Sequence, residues 1–227
     1  RKDNWVTSGN IAWDSDFFNL GTSWLTVGPE FRNDLGFVPR RNMRQIAPQI
    51  GIRPRPRSEL ISQLVFRFRV DYLMNQENRL ESRTVHTAAE VNFQDGSELA
   101  FTPHGNMDTI PGPQPFEIRR GVLIPPGTYS WWHTGARYRT NPAQRLTFTA
   151  NITPYWGYYN EGFLLRIGLN PRFKINEQMS LQASYDYNDA SLPDRFCPGR
   201  AAGECGFTDH NLNTRFDYNI TNQWLTS

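Results

Sequence analysis

The sequence predicts an all-β protein: an antiparallel up-and-down transmembrane β-barrel, of which these residues supply about twelve strands as part of a larger barrel. Three observations carry that expectation. Apolar residues recur at every second position over long stretches, the stretches run 10 to 13 residues, and short and long connections alternate strictly along the chain. A tilted strand needs roughly 9–11 residues to cross a bilayer, whereas strands of soluble proteins cluster near five or six.

Composition agrees with this class and excludes others. The 227 residues include 7 Trp, 9 Tyr and 15 Phe, more apolar area than a disordered chain carries. No run approaches the roughly 20 apolar residues of a membrane-crossing helix. With 16 Pro and 17 Gly punctuating the chain, a helical bundle fits badly. Net charge is only +2, but Lys2 and Lys174 are the only lysines; the remaining positive charge is arginine, suited to paired, hydrogen-bonded sites. Arg1 is no initiator and the end at Ser227 falls inside a strand pattern, so the chain reads as one domain cut from a longer one.

Taken in order, the first strands are expected at Trp5 to Asp14, Leu20 to Val27 and Arg44 to Arg53. The alternation then sharpens. Leu64, Phe66, Phe68, Val70 and Tyr72 take one face, with Gln63, Val65, Arg67, Arg69 and Asp71 on the other. Val85 to Phe93 follows the same rule, with His86 and Glu90 on its polar side. Strands at Glu98 to Pro103 and Thr128 to Arg139 come next. From Arg145 the pattern is regular. Leu146 to Trp156, Phe163 to Ile175, Met179 to Tyr187 and Leu212 to Ile220 each show an apolar face free of charge, and a last strand begins at Gln223.

Short turns fall at 15–17, 54–59, 94–97, 140–144, 176–178 and 221–222, with longer connections at 28–42, 74–79, 104–127, 157–162 and 189–210 between them. An antiparallel meander puts alternate connections at opposite ends. One end with tight turns and the other with loops is the asymmetry of outer-membrane barrels. A soluble β-sandwich is the competing reading, because its strands alternate too. Tyr155, Trp156, Tyr158 and Trp131 gather towards the long-loop end, as an aromatic girdle or as ordinary core residues. Pro48, Pro154 and Pro171 lack a ladder donor and are expected near rims or bulges.

If the apolar face meets outer-membrane lipid, the other lines a lumen. That lumen would hold Arg53, Arg67, Arg69, Arg137, Arg139, Arg145, Arg166, Arg172, Lys174 and Arg215 against Asp71, Glu90, Asp186 and Asp217. A net-positive, water-filled lumen favours anionic or sugar-like solutes. The alternative is that arginine and acid form ladders that brace the wall without an open pore. The proline-rich stretch from Pro103 to Gly127, with Phe116, Glu117, Arg119 and Arg120 at its centre, is expected as a constriction or plug loop, against a loop packed on the surface.

Cys197 and Cys205, eight apart in a loop, read as a local disulfide formed in an oxidising compartment. Asp194, Glu204 and His210 lie nearby, but the spacing of zinc ligands is absent, so no metal is expected. His86, His104, His133 and His210 could supply a base and Ser130 or Ser191 a nucleophile, yet no elbow motif links them. No catalytic residues, cofactor or nucleic-acid partner are expected.

Three segments carry a family likeness: FRNDLGFVPRRN at Phe31 to Asn42, PFEIRRGVLIPPGTYSW at Pro115 to Trp131, and SYDYNDASLPDRF at Ser184 to Phe196. The chain resembles the C-terminal barrel domain of a bacterial outer-membrane family whose full-length members carry a carbohydrate-binding family 9-like domain ahead of the barrel. The resemblance implies a Gram-negative outer-membrane location and an N-terminal periplasmic or surface domain that handles glycans. It also implies further closing strands, because such barrels finish on an aromatic residue and this chain ends Leu225, Thr226, Ser227. No catalytic residues transfer. Three functions are therefore carried forward: a channel or transporter for anionic or sugar-like solutes, a barrel anchoring a glycan-binding domain or a surface or periplasmic protein partner, and a rim hydrolase.

Overall fold

Residues 4–32, 40–221 and 224–226 are described by a computed structural model. Residues 33–39, within the expected long connection at 28–42 and the first family-like segment, lie outside them, as do Asn222 and Gln223. The strands are β1 (Val6–Asp14), β2 (Phe18–Val27), β3 (Met43–Ile52), β4 (Ile61–Met74), β5 (Leu80–Phe93), β6 (Glu98–Ile110), β7 (Phe116–Arg119), β8 (Val122–Ile124), β9 (Gly127–Arg139), β10 (Leu146–Tyr158), β11 (Gly162–Lys174), β12 (Met179–Ser191), β13 (Gly206–Thr221) and β14 (Trp224–Thr226). A single 3-10 turn, Asp194–Phe196, interrupts the loop after β12.

Twelve of these strands form one antiparallel sheet in which each pairs with its neighbour in sequence, and β7–β8 is a separate hairpin inserted between β6 and β9. The sheet is not closed. Among the described residues β1 pairs only with β2 and β14 only with β13.

Register keeps the two faces apart across the whole sheet. Leu146 sits opposite Phe173, Ile152 opposite Ile167, and Phe173 opposite Leu181, so apolar side chains form continuous rows. These rows are uncovered. Ile11 is 68% exposed, Leu212 67% and Trp132 63%, and no second sheet packs on them among the described residues. Two stacked layers, the competing sandwich, are therefore not what this chain builds.

Two local expectations change. β6 runs on to Ile110 instead of stopping at Pro103, which shortens the loop to 111–126. Gly105 and Asn106 are poor strand formers, but the Trp132 ring lies across the space where Gly105 has no side chain, and that cross-strand packing outweighs propensity. Pro154 stands two residues from the irregularity between Trp156 and Tyr158, but Pro48 and Pro171 are at neither a rim nor a bulge. Pro48, Pro103, Pro154 and Pro171 sit inside strands, each in register with one neighbour and next to a gap on the other side. The β3–β4 ladder passes from Ile46↔Tyr72 to Gln49↔Arg69, and β11–β12 from Leu169↔Tyr185 to Arg172↔Gln182. A residue without an N–H costs one ladder bond, and a long strand absorbs that loss without bulging out of the sheet.

The packed core is small and lies on the polar face, at the long-loop end. There Val122 and Ile124 of the hairpin (both 0% exposed) meet Phe196, Leu164 and Tyr159. The Cys197–Cys205 disulfide, Cα–Cα 5.5 Å, lies in the same cluster.

Candidate functional site

The polar face has three levels, set by where each charged residue falls along its strand. Nearest the short turns is a ladder of ion pairs. Arg67 pairs with Glu90, Arg53 with Asp14, and Arg137 and Arg139 reach Glu98 at 2.6 and 2.5 Å. Arg215 holds Asp217 at 2.6 Å, and Gln182 donates to the same carboxylate at 3.1 Å. Glu90 and Glu98 are buried, so their charges depend on these partners; stripping a buried carboxylate of its partner is strongly destabilising.

The middle level is a row of rings. His86, His104 and His133 stand directly opposite one another on β5, β6 and β9. Asp71 Oδ2 lies 2.8 Å from His86 Nε2, and His104 Nδ1 lies 2.6 Å from His133 Nε2. The Asn106 amide nitrogen, 2.9 Å from His133 Nδ1, donates to it; His133 then carries its proton on Nε2 and gives it to His104. Tyr155 stacks on His133 with centroids 4.4 Å apart, and the Arg166 guanidinium lies 5.1 Å over the Tyr155 ring. With Arg69 on Asp71 at 2.7 Å, one connected belt crosses β4, β5, β6, β9, β10 and β11. A cavity of about 460 Å³ opens beside it, lined by Asn19, Gln49, Arg67, Arg69, Asp71 and His86.

At the long-loop end the face is capped. Phe116 is half exposed at the base of the hairpin, opposite Ile124, and near the tip Glu117 accepts the Gly121 N–H at 2.9 Å. Arg119 pairs with Asp209 and lies 5.1 Å over Phe207. Arg200 donates to the Arg120 carbonyl at 3.3 Å, tying the hairpin to the disulfide loop. Burial pushes the Tyr159 hydroxyl above its ordinary range, and its neighbour Tyr158 adds to that. The expected plug residues thus form the hairpin's edge and tether, while Val122 and Ile124, whose apolar character already marked this loop as too apolar for disorder, are its buried part.

The remaining sequence-derived positions also lie on the polar face or at its edge. Arg145 donates to the carbonyls of Lys174 and Ile175 at 3.1 and 3.0 Å, Lys174 to that of Pro142 at 2.7 Å, and Arg172 to the Ser180 hydroxyl at 3.3 Å. Asp186 accepts from Ser184 at 3.4 Å. Reasoning from sequence missed Asp14, Glu98 and Asp209, which share this face and offset part of its positive charge. It also missed the histidine row. Each histidine's polar-face parity was visible, but their common level depends on turn lengths that only the register supplies. Among the described residues, no group of three or more His, Cys, Asp or Glu could hold a metal ion.

What the fold and face define is an all-β protein built on one amphipathic antiparallel meander, apolar on one face and ionic on the other. Residues 18–223 match the family described as Domain of unknown function (DUF5916), and the chain belongs to that family. The match concerns the family alone and does not extend to a carbohydrate-binding domain. No curated protein and no solved structure matches the chain.

Proposed function

We propose that this chain is wall of a barrel in the bacterial outer membrane, with lipid against its apolar face and water against its ionic one, and that it forms a channel or transporter for polar solutes. The observation that carries this reading is the uncovered apolar face, whose rows continue from β1 to β13. Hydrocarbon is the solvent in which such a face is stable, and closure by further strands would remove the open edges at β1 and β14.

The anionic preference expected from charge counting is supported on one side of the wall only. Among the described residues Arg145, Arg166, Arg172 and Lys174 have no carboxylate partner, and all four lie on or beside β11. Glycans and small anions are both solutes this lumen could take. Reconstitution of the full-length protein into planar bilayers tests the reading. Stepwise conductance with an anion preference that falls in Arg172→Gln supports it; a protein that remains dissolved without detergent overturns it.

A second reading has its own support. The ion-pair ladder braces the wall and the hairpin with the disulfide loop caps one end, as suits a sealed barrel that anchors a glycan-binding domain or a surface or periplasmic protein partner. Insertion into lipid without conductance would select it.

A further inference from the structure

A second cavity, of about 670 Å³, lies between the polar face of β10–β13 and the underside of the β7–β8 hairpin. Its volume falls in the range of small-ligand sites. Its floor is a grid fixed by register. One row runs Asn151, Gly168, Asp186, Asn211, each directly opposite the next across β10, β11, β12 and β13. The adjacent row runs Thr153, Arg166, Asn188, Asp209 on the same four strands. Ile118 of the hairpin, Phe207 and Tyr158 supply apolar walls.

We infer that this cavity is a binding subsite for a neutral polyhydroxy unit, one or two rings of a saccharide. Each hydroxyl of such a unit is both donor and acceptor, and amides answer with both. Three of the eight grid positions are asparagines, and Asn151 and Asn188 make no side-chain hydrogen bond to protein among the described residues, so their capacity is directed to the cavity. Gly168 leaves a dip in the floor over which the Asn151 amide leans.

Charge selects against the alternatives. Arg166 and Asp186 oppose each other in sign within the grid, and Asp209 is already neutralised by Arg119, which leaves no net field to concentrate an anion. The same tether removes Asp209 from use by a divalent cation. The hairpin, held by Arg119 on Asp209 and Phe207, is the roof under which the ring would slide. This placement rests on the barrel reading only in that the cavity must open to lumen water.

Titration of the full-length protein in lipid nanodiscs, read by Tyr and Trp fluorescence, tests it with maltotriose, cellotriose and chitotriose as probes, and with potassium sulfate and calcium chloride as controls. Saturable binding of at least one trisaccharide is expected, weakened at least tenfold by Asn188→Leu and by Asp186→Leu. Gln49→Leu, in the other cavity, should leave it unchanged. If no trisaccharide binds, if either floor variant binds as wild type, or if sulfate or calcium competes at lower concentration than the sugars, the subsite is overturned. Insertion into lipid is scored in the same samples. Inserted protein that ignores all three sugars fails this inference alone, whereas protein that binds a sugar yet stays out of lipid fails the barrel.

Discussion

The two ends of the polar face solve one problem in opposite ways. At the short-turn end, Glu90 and Glu98 are buried among Arg67, Arg137 and Arg139, and charge answers charge across neighbouring strands. At the long-loop end, the same polar face is covered by Val122, Ile124 and Phe196 behind a disulfide. Turn length explains the difference. Residues 15–17 or 94–97 cannot fold back over the sheet, so polar-face side chains there must satisfy one another; residues 111–126 and 192–205 are long enough to bring an apolar cover. The ladder end should therefore respond to salt and pH, and the capped end to lost volume.

The largest effect is expected from Phe196→Ala. The ring is 1% exposed and contacts Tyr129 edge-on, with centroids 6.3 Å apart. Truncating a fully buried Phe costs about 3–5 kcal/mol. Denaturant unfolding in detergent should show that loss at low and at 0.5 M salt alike, with faster amide exchange in the hairpin and the disulfide loop and none added near Glu98. A uniform increase over the whole sheet would mean that the cap and the ladder are one unit, and the comparison would fail.

Next comes Glu98→Gln, which leaves Arg137 and Arg139 without a full charge opposite them. Both guanidiniums are about half exposed and can rehydrate, so the loss is expected near 1–2 kcal/mol, well below that of a sealed pair. Unlike the Phe196 effect, it should shrink as salt rises, because the partly exposed pairs it removes are screened. A penalty independent of salt would show the pairs to be held by packing instead of charge.

What could be read in the sequence divides along the same line. The middles of the strands from Leu146 onward and the identity of the polar face followed from period-two alternation, which needs no partner to be visible, whereas β12 runs on to Ser191 and β13 begins at Gly206, inside the connection expected at 189–210. The Cys197–Cys205 link followed from spacing within one loop. Features that depend on the relation between strands were hidden. Nothing local in His104, Gly105 and Asn106 announces a strand, since its support comes from Trp132 on β9, 27 positions from Gly105 in the chain. Glu98 stood at a strand start, yet its two arginines arrive from β9. The grid of Asn151, Asp186 and Asn188 appeared only as scattered polar positions until register aligned it.

The smallest effect belongs to a tight turn at the ladder end. The Ser97 hydroxyl donates to Asp95 at 2.6 Å and the Ser97 N–H at 2.8 Å, and these bonds hold the Asp95 carboxyl below its ordinary value of 3.8. A carboxylate depressed by folding contributes stability above its unfolded value and loses it as pH falls through the folded one. The stability difference between wild type and Asp95→Ala should accordingly be constant above about pH 5 and decline once pH drops below 3.8. Asp95 is fully exposed, so the change is expected to stay inside the turn and to register as exchange at Gly96 and Ser97 before any global unfolding. The corresponding acid beside the loop at 192–205 is Glu161, which is likewise held low by Arg195 through two bonds of 2.9 and 2.7 Å. Because Phe196 and the disulfide anchor that loop independently of charge, acid should loosen the Asp95 turn while leaving the Arg195 loop in place; equal loosening of both would mean that charge holds the two ends alike.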